Sequence, residues 1–124
     1  MFSRGRDHGL TSQGDHLGVG GTSHPGRLVY LHDGETVAGQ SQVERWTWHH
    51  VVFVRDGQEV RIYLDGGSDP EIAITSSKQT PTAIEELIFG GRGDQQSSWE
   101  GRLDEIAVFD RALSAEEVRL LSGQ

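Results

Sequence analysis

The stretch Trp99-Glu100-Gly101-Arg102-Leu103-Asp104-Glu105-Ile106-Ala107-Val108-Phe109-Asp110-Arg111-Ala112-Leu113-Ser114-Ala115-Glu116-Glu117-Val118 decides the fold. It reads as a long β-strand, 99–109, that turns directly into a short capped helix. Leu103 is apolar, while Ile106 and Val108 are apolar in the opposite phase. One extra residue at Asp104-Glu105 would put all three on one face, which predicts a β-bulge there. Ser114 followed by Glu117 three residues later is a capping box. Leu113 and Val118 occupy the two positions of a hydrophobic staple. Gly123 stops the helix. Val118 and Leu121, three apart, form the face expected to pack on the rest of the domain.

Working back along the chain, further strands are expected near 14–20, 26–32, 47–55, 58–65, 71–75 and 84–90, with turn residues between nearly all of them. The firmest unit is the hairpin at Arg55-Asp56-Gly57-Gln58, where glycine accepts the positive φ of a tight turn. After it, Val60, Ile62 and Leu64 alternate with Arg61, Tyr63 and Asp65, so one face is buried. Before it, Trp48 to Val54 is apolar at almost every position. That predicts a central strand covered on both faces, or one crossing a bulge. Residues 66–82 read as turns and loops around one short strand.

The chain has 124 residues, enough for one domain. Seventeen glycines among strand-like runs point to an all-β protein. A net charge of −8 argues against nucleic acid and against an anionic membrane surface. With no cysteine there is no disulfide and no thiolate metal site. No apolar run is long enough to insert into a membrane. The start, Met1-Phe2-Ser3-Arg4-Gly5-Arg6, lacks the apolar core of a signal peptide.

Three parts of the chain together resemble the laminin-G-like branch of the concanavalin A-type jelly rolls. They are Trp48-His49-His50-Val51-Val52-Phe53-Val54, Ile62-Tyr63-Leu64-Asp65-Gly66, and the strand-plus-helix at the C-terminal end. The resemblance runs from about residue 1 to 121. It implies an all-β sandwich of two antiparallel sheets with a short C-terminal helix. It also implies one domain over 1–124, lacking the first strands of its relatives. Such a sandwich would have open edges, through which it could form a homo-oligomer. A secreted or cell-envelope location is implied as well, with the domain part of a larger exported protein.

Pentraxins are relatives whose ligand site uses calcium. Leu87-Ile88-Phe89-Gly90-Gly91-Arg92-Gly93-Asp94 is similar to the strand and loop that carry their calcium ligands. Asp94 matches an aspartate ligand, Gln96 falls near a glutamine ligand and Asp7 near an aspartate of the other calcium loop. Arg92 stands where a glutamate should, and a cation there opposes Ca²⁺. Since Ca²⁺ takes six to eight oxygens, ordinary polar loops are the favoured reading. Asp104, at the expected bulge, is a further cation candidate. A carboxylate bound to backbone N–H groups is the plainer account of it.

Trp46 and Trp99, both near a sheet rim, are candidate platforms for a sugar ring, with core or rim packing as the alternative. Trp48 matches a core position in the family, and His50 a buried structural one. The eight-residue spacing of His8, His16, His24 and His32 suggests Zn²⁺ or Ni²⁺ ligands only if the strands align them; chance is favoured. Arg92-Gly93-Asp94 spells an adhesion tripeptide without other support. No strand alternates carboxylates toward a cleft, and no nucleophile elbow, phosphate loop or metalloprotease helix is present, so the chain does not read as an enzyme. The expectation is a non-catalytic module that binds a glycan or a protein, with Ca²⁺ as the cofactor if there is one. The alternatives are a structural spacer and, more remotely, a glycoside hydrolase relative.

Overall fold

The computed structural model describes residues 1–5, 14–32, 34–76, 86–91 and 99–123. They form two antiparallel sheets and one helix. In chain order the elements are β1 (Phe2–Gly5), β2 (Gly14–Val19), β3 (Leu28–His32), β4 (Glu35–Ala38), β5 (Val51–Asp56), β6 (Glu59–Leu64), β7 (Ile72–Thr75), β8 (Glu86–Phe89) and α1 (Ala115–Leu121). One sheet has the order β4-β3-β2-β1-β8 and the other β5-β6-β7.

The inner faces follow from period-2 alternation. Leu17, Leu28 and Tyr30 of the larger sheet meet Val60, Ile62 and Ile72 of the smaller one, all nearly or fully buried. Phe2 joins them: its ring centroid lies 5.4 Å from that of Phe53 and 5.8 Å from that of Phe89. The expected hairpin turns at Asp56-Gly57, with Gly57 at φ +59° and β5 and β6 in register from Val51↔Leu64 to Asp56↔Glu59.

The helix caps as its sequence dictates. The Glu117 amide donates to Ser114 Oγ at 3.2 Å and the Ser114 amide to the Glu117 carboxylate at 2.9 Å. Leu113 and Val118 are buried together against Val54 and Tyr63, on the face of β5 and β6 turned away from the main core. Strand β5 is thus covered on both faces. It is nevertheless the end strand of its sheet, not a central one. Val118 carries the helix contact, whereas Leu121 is half exposed.

The strand expected over 99–109 is absent. That segment joins no ladder, and Leu103, Ile106, Val108 and Phe109 are 38–68% exposed. A strand needs a neighbour to take its amides and carbonyls, and no described strand lies along it. The irregularity at Asp104-Glu105 is real: Glu105 has φ +50°, and its amide donates to Asp104 Oδ1 at 2.8 Å. Without a ladder it is a kink rather than a bulge. Two strands were not expected from sequence, β1 and β4, each only four residues long.

Candidate functional site

Residues 39–50 cross from β4 in one sheet to β5 in the other, and they present the most exposed aromatics described. Trp46 is fully exposed, and Trp48, expected in the core from the family resemblance, is 64% exposed because it precedes β5 in the crossing loop. Trp46 has φ +64°, a left-handed conformation that costs a bulky L-residue roughly 1–2 kcal/mol. A strained aromatic that buries nothing does not stabilise the fold. Such positions are where functional constraints are found.

The loop around Trp46 is held at both ends. At its start the Gly39 amide donates to the Leu28 carbonyl at 2.8 Å, and the Val43 amide to the Gly26 carbonyl at 2.7 Å. The Glu71 carboxylate, just before β7, accepts from the Gln40 amide, the Ser41 amide and the Ser41 hydroxyl. Partial burial pushes the Glu71 carboxyl up, but these hydrogen bonds outweigh it and leave the group below its ordinary value.

At the loop's far end the anchor is Asp65, in the turn after β6. Asp65 has φ +53°, which a short polar side chain tolerates. Its Oδ1 accepts from the His50 amide at 2.9 Å, and its own amide donates to the His50 carbonyl at 2.7 Å. His49 lies between Asp65 Oδ2, 2.8 Å from Nδ1, and the Glu44 carbonyl, 2.9 Å from Nε2. The next ring, His50, is half-buried, and its Nδ1 is buried with no hydrogen-bond partner among the described residues.

Trp99 is placed differently from Trp46. It is half-buried over Gly101, where a Cβ would come within 2.8 Å of the indole nitrogen. Its Nε1 is buried and has no partner among the described residues. Asp104 is exposed, with Oδ1 engaged by the Glu105 amide. Asp7, Asp94 and Gln96 lie outside the described residues, as do His8 and the Arg92-Gly93-Asp94 tripeptide. No group of three or more potential metal ligands occurs among the described residues. Among the described histidines, His16 and His32 are not brought together: His16 pairs across from Leu31, so on the sheet it faces the opposite way from His32.

Sequence reasoning missed a buried charge cluster. Asp15 is 1% exposed on the inner face of β2. It accepts from Arg4 Nε, from Arg55 Nη1 and from the Tyr30 hydroxyl, each at 2.6 Å. Arg55 comes from β5, so the cluster ties one sheet to the other. Burial, reinforced by the Asp15 carboxylate, pushes the Tyr30 hydroxyl far above its ordinary value. His32 stacks on Tyr30 with centroids 6.1 Å apart, and its Nδ1 faces the Gly14 carbonyl. The available signal was phase: Asp15, Leu17 and Val19 alternate on one face. Both Asp15 oxygens are engaged by donors, so the residue is a structural tie rather than a poised acid or base.

Ser3 Oγ and His16 Nδ1 lie 2.7 Å apart and are buried on the outer face of the larger sheet. Asp15, next to His16, faces the interior, so these three do not form a hydrolytic triad. Beside His16 is a shallow concavity of about 310 Å³ lined by Leu17, Gly18, Val29 and Leu31. Its lining side chains other than His16 are apolar.

Against known proteins, the family profile Laminin_G_3, of the concanavalin A-like lectin/glucanases superfamily, matches residues 3–119. No curated protein matches the chain. A solved structure of an S-layer domain-containing protein from Clostridium thermocellum ATCC 27405 is similar, with a TM-score of 0.58 and 20% identity over 94% of this chain. This chain spans 59% of that structure, and the likeness is one of fold. The match over 3–119 and the two-sheet sandwich with its capped helix agree: the chain belongs to the Laminin_G_3 family of concanavalin A-like domains.

Proposed function

We propose that this domain is a non-catalytic recognition module that binds a carbohydrate or protein surface through the loop 39–50. The observation that carries the reading is Trp46: a fully exposed indole, held in a left-handed backbone, on a loop pinned by Glu71 and Asp65. A flat aromatic face on an ordered loop is what a sugar ring or an apolar peptide side chain stacks on. Trp48 enlarges the surface. Trp99 is the weaker candidate, because its indole already lies against Gly101.

A calcium-assisted form of this reading would use Asp7, Asp94 and Gln96, with Asp104 offering the oxygen not taken by Glu105. A place in the cell envelope or outside the cell agrees with the family and with the similar structure's being that of an S-layer domain-containing protein. No described helix is long and apolar enough to cross a membrane. Association of copies through sheet edges is the second part of the proposal. Strand β8 ends one sheet, and its Leu87 and Phe89 are 45% and 39% exposed; β5 ends the other.

The test is a panel of bacterial and plant glycans and envelope proteins, with binding measured for the wild type, Trp46→Gly and Trp48→Ala. Gly accepts φ +64° without strain, so Trp46→Gly keeps the fold and removes only the ring. Binding in the wild type that is lost in Trp46→Gly supports the reading. Binding that survives both substitutions moves the site off this loop. No binding to any member favours the structural spacer.

A further inference from the structure

We infer that His49 is a proton-dependent latch on the Trp46 loop, so that the surface it presents is ordered when the imidazole is protonated and loosened when it is not. The inference rests on the recognition reading above for its biological meaning, but not for its physics. The physics is a matter of donors and acceptors. Nδ1 faces a carboxylate oxygen of Asp65 at 2.8 Å, and Nε2 faces the backbone carbonyl of Glu44 at 2.9 Å. Both partners can only accept. A neutral imidazole has one N–H and one lone pair. Whichever tautomer it took, one ring nitrogen would point its lone pair at an oxygen lone pair. Only the imidazolium donates to both.

The two partners lie on different pieces of chain. Asp65 belongs to the turn after β6, and Glu44 to the loop itself, two residues before Trp46. Protonated His49 therefore closes residues 44–49 into a ring around Trp46 and fastens that ring to the sheet. The charged groups acting on the imidazole are Asp65 from the turn and Glu44 from the loop, and both favour its cation. The Asp65 hydrogen bond is the largest influence and raises the His49 pKa above its ordinary value. Partial burial opposes it, and the Glu44 carbonyl adds to the rise.

The sign follows. A histidine whose folded pKa is raised contributes its full stabilisation below its unfolded value of about 6.5, and that stabilisation is lost as pH rises through the folded value. The surface is thus latched in mildly acidic surroundings and released in alkaline ones. His50, next in sequence, does not share the role: its Nδ1 is buried without a partner among the described residues.

The test is NMR titration of the His49 ring, with amide hydrogen exchange of residues 44–49 corrected for intrinsic rates, on wild type, His49→Gln and Asp65→Asn. The expected wild-type midpoint lies above about 6.5, with loop exchange rising about tenfold across it, the size of one lost charge-assisted bond. In His49→Gln the corrected exchange should be flat with pH. In Asp65→Asn the His49 midpoint should fall. A midpoint at or below about 6.5, or loop exchange that ignores it, overturns the latch. The glycan panel, run on both sides of the midpoint, separates this result from the recognition reading. A loop that loosens with pH but binds nothing keeps the latch and removes the lectin. Binding that is equal on both sides, with an unchanging loop, does the reverse.

Discussion

Removing the Asp15 carboxylate should cost more than any other single truncation at a polar residue described here. Asp15 is 1% exposed and neutralises two cations, Arg4 and Arg55, while also accepting from Tyr30. In Asp15→Ala the Arg4 guanidinium, 21% exposed, can turn toward water. The Arg55 side chain, 6% exposed, stays inside, with its Nε still donating to the Gly57 carbonyl. Losing the carboxylate of a buried charge cluster costs about 3–5 kcal/mol. At about 2.1 cal/mol/K per residue, 124 residues unfold with about 260 cal/mol/K, so Tm should fall by roughly 12–19 °C. The assay is urea and thermal unfolding followed by circular dichroism, with coincident probes to establish a single transition. Replacing Asp15, Arg55 and Tyr30 together by Leu, Met and Phe should recover most of the loss, because apolar replacement of a whole buried cluster is close to neutral. A cost below about 1 kcal/mol for Asp15→Ala would refute the reasoning, since it would mean that water reaches the cluster and screens it.

Other consequences can be checked with the same methods. Val118, 0% exposed beneath α1, should lose about 2 kcal/mol on truncation to Ala from two buried methyl groups and the space they leave, read as a shift of the urea midpoint. Glu117 is held down to about 2, first by its bond to Arg111 and then by the Ser114 amide. Its support of the helix end should be full above pH 4.5 and fade as pH falls toward 2, visible as exchange broadening of residues 115–121. If Asp7, Asp94 and Gln96 hold calcium, Ca²⁺ should raise Tm relative to EDTA, and Asp94→Ala should abolish the rise. If sheet edges pair between copies, Tm should increase with protein concentration, and Val108→Lys should remove that dependence only if the extended segment 99–109 takes part.

Local chemistry was legible from the chain itself. The hairpin at Asp56-Gly57, the alternation of Val60, Ile62 and Leu64 and the Ser114–Glu117 capping box depend on neighbours a few residues apart. They sit in the fold where their spacing puts them. The same holds for the all-β class, which glycine-punctuated β-runs specify, whereas the two-sheet sandwich was implied by the family resemblance. Contacts between distant pieces of chain were not legible. Whether 99–109 is a strand depends on a partner lying alongside, because a ladder is made by two segments. Asp15 shares a phase with Leu17 and Val19, but its partners appear only when β1, β3 and β5 assemble around it and supply two guanidinium groups and a hydroxyl. Asp65 reads as the polar end of a strand until the structure puts it in the turn after β6, against His49, sixteen positions earlier. Trp46 could be named a candidate from its sequence alone. Its exposure, its left-handed backbone and the carboxylates that pin its loop come only from the packing of one sheet on the other, since burial and hydrogen-bond partnership belong to the assembled chain and not to any segment of it.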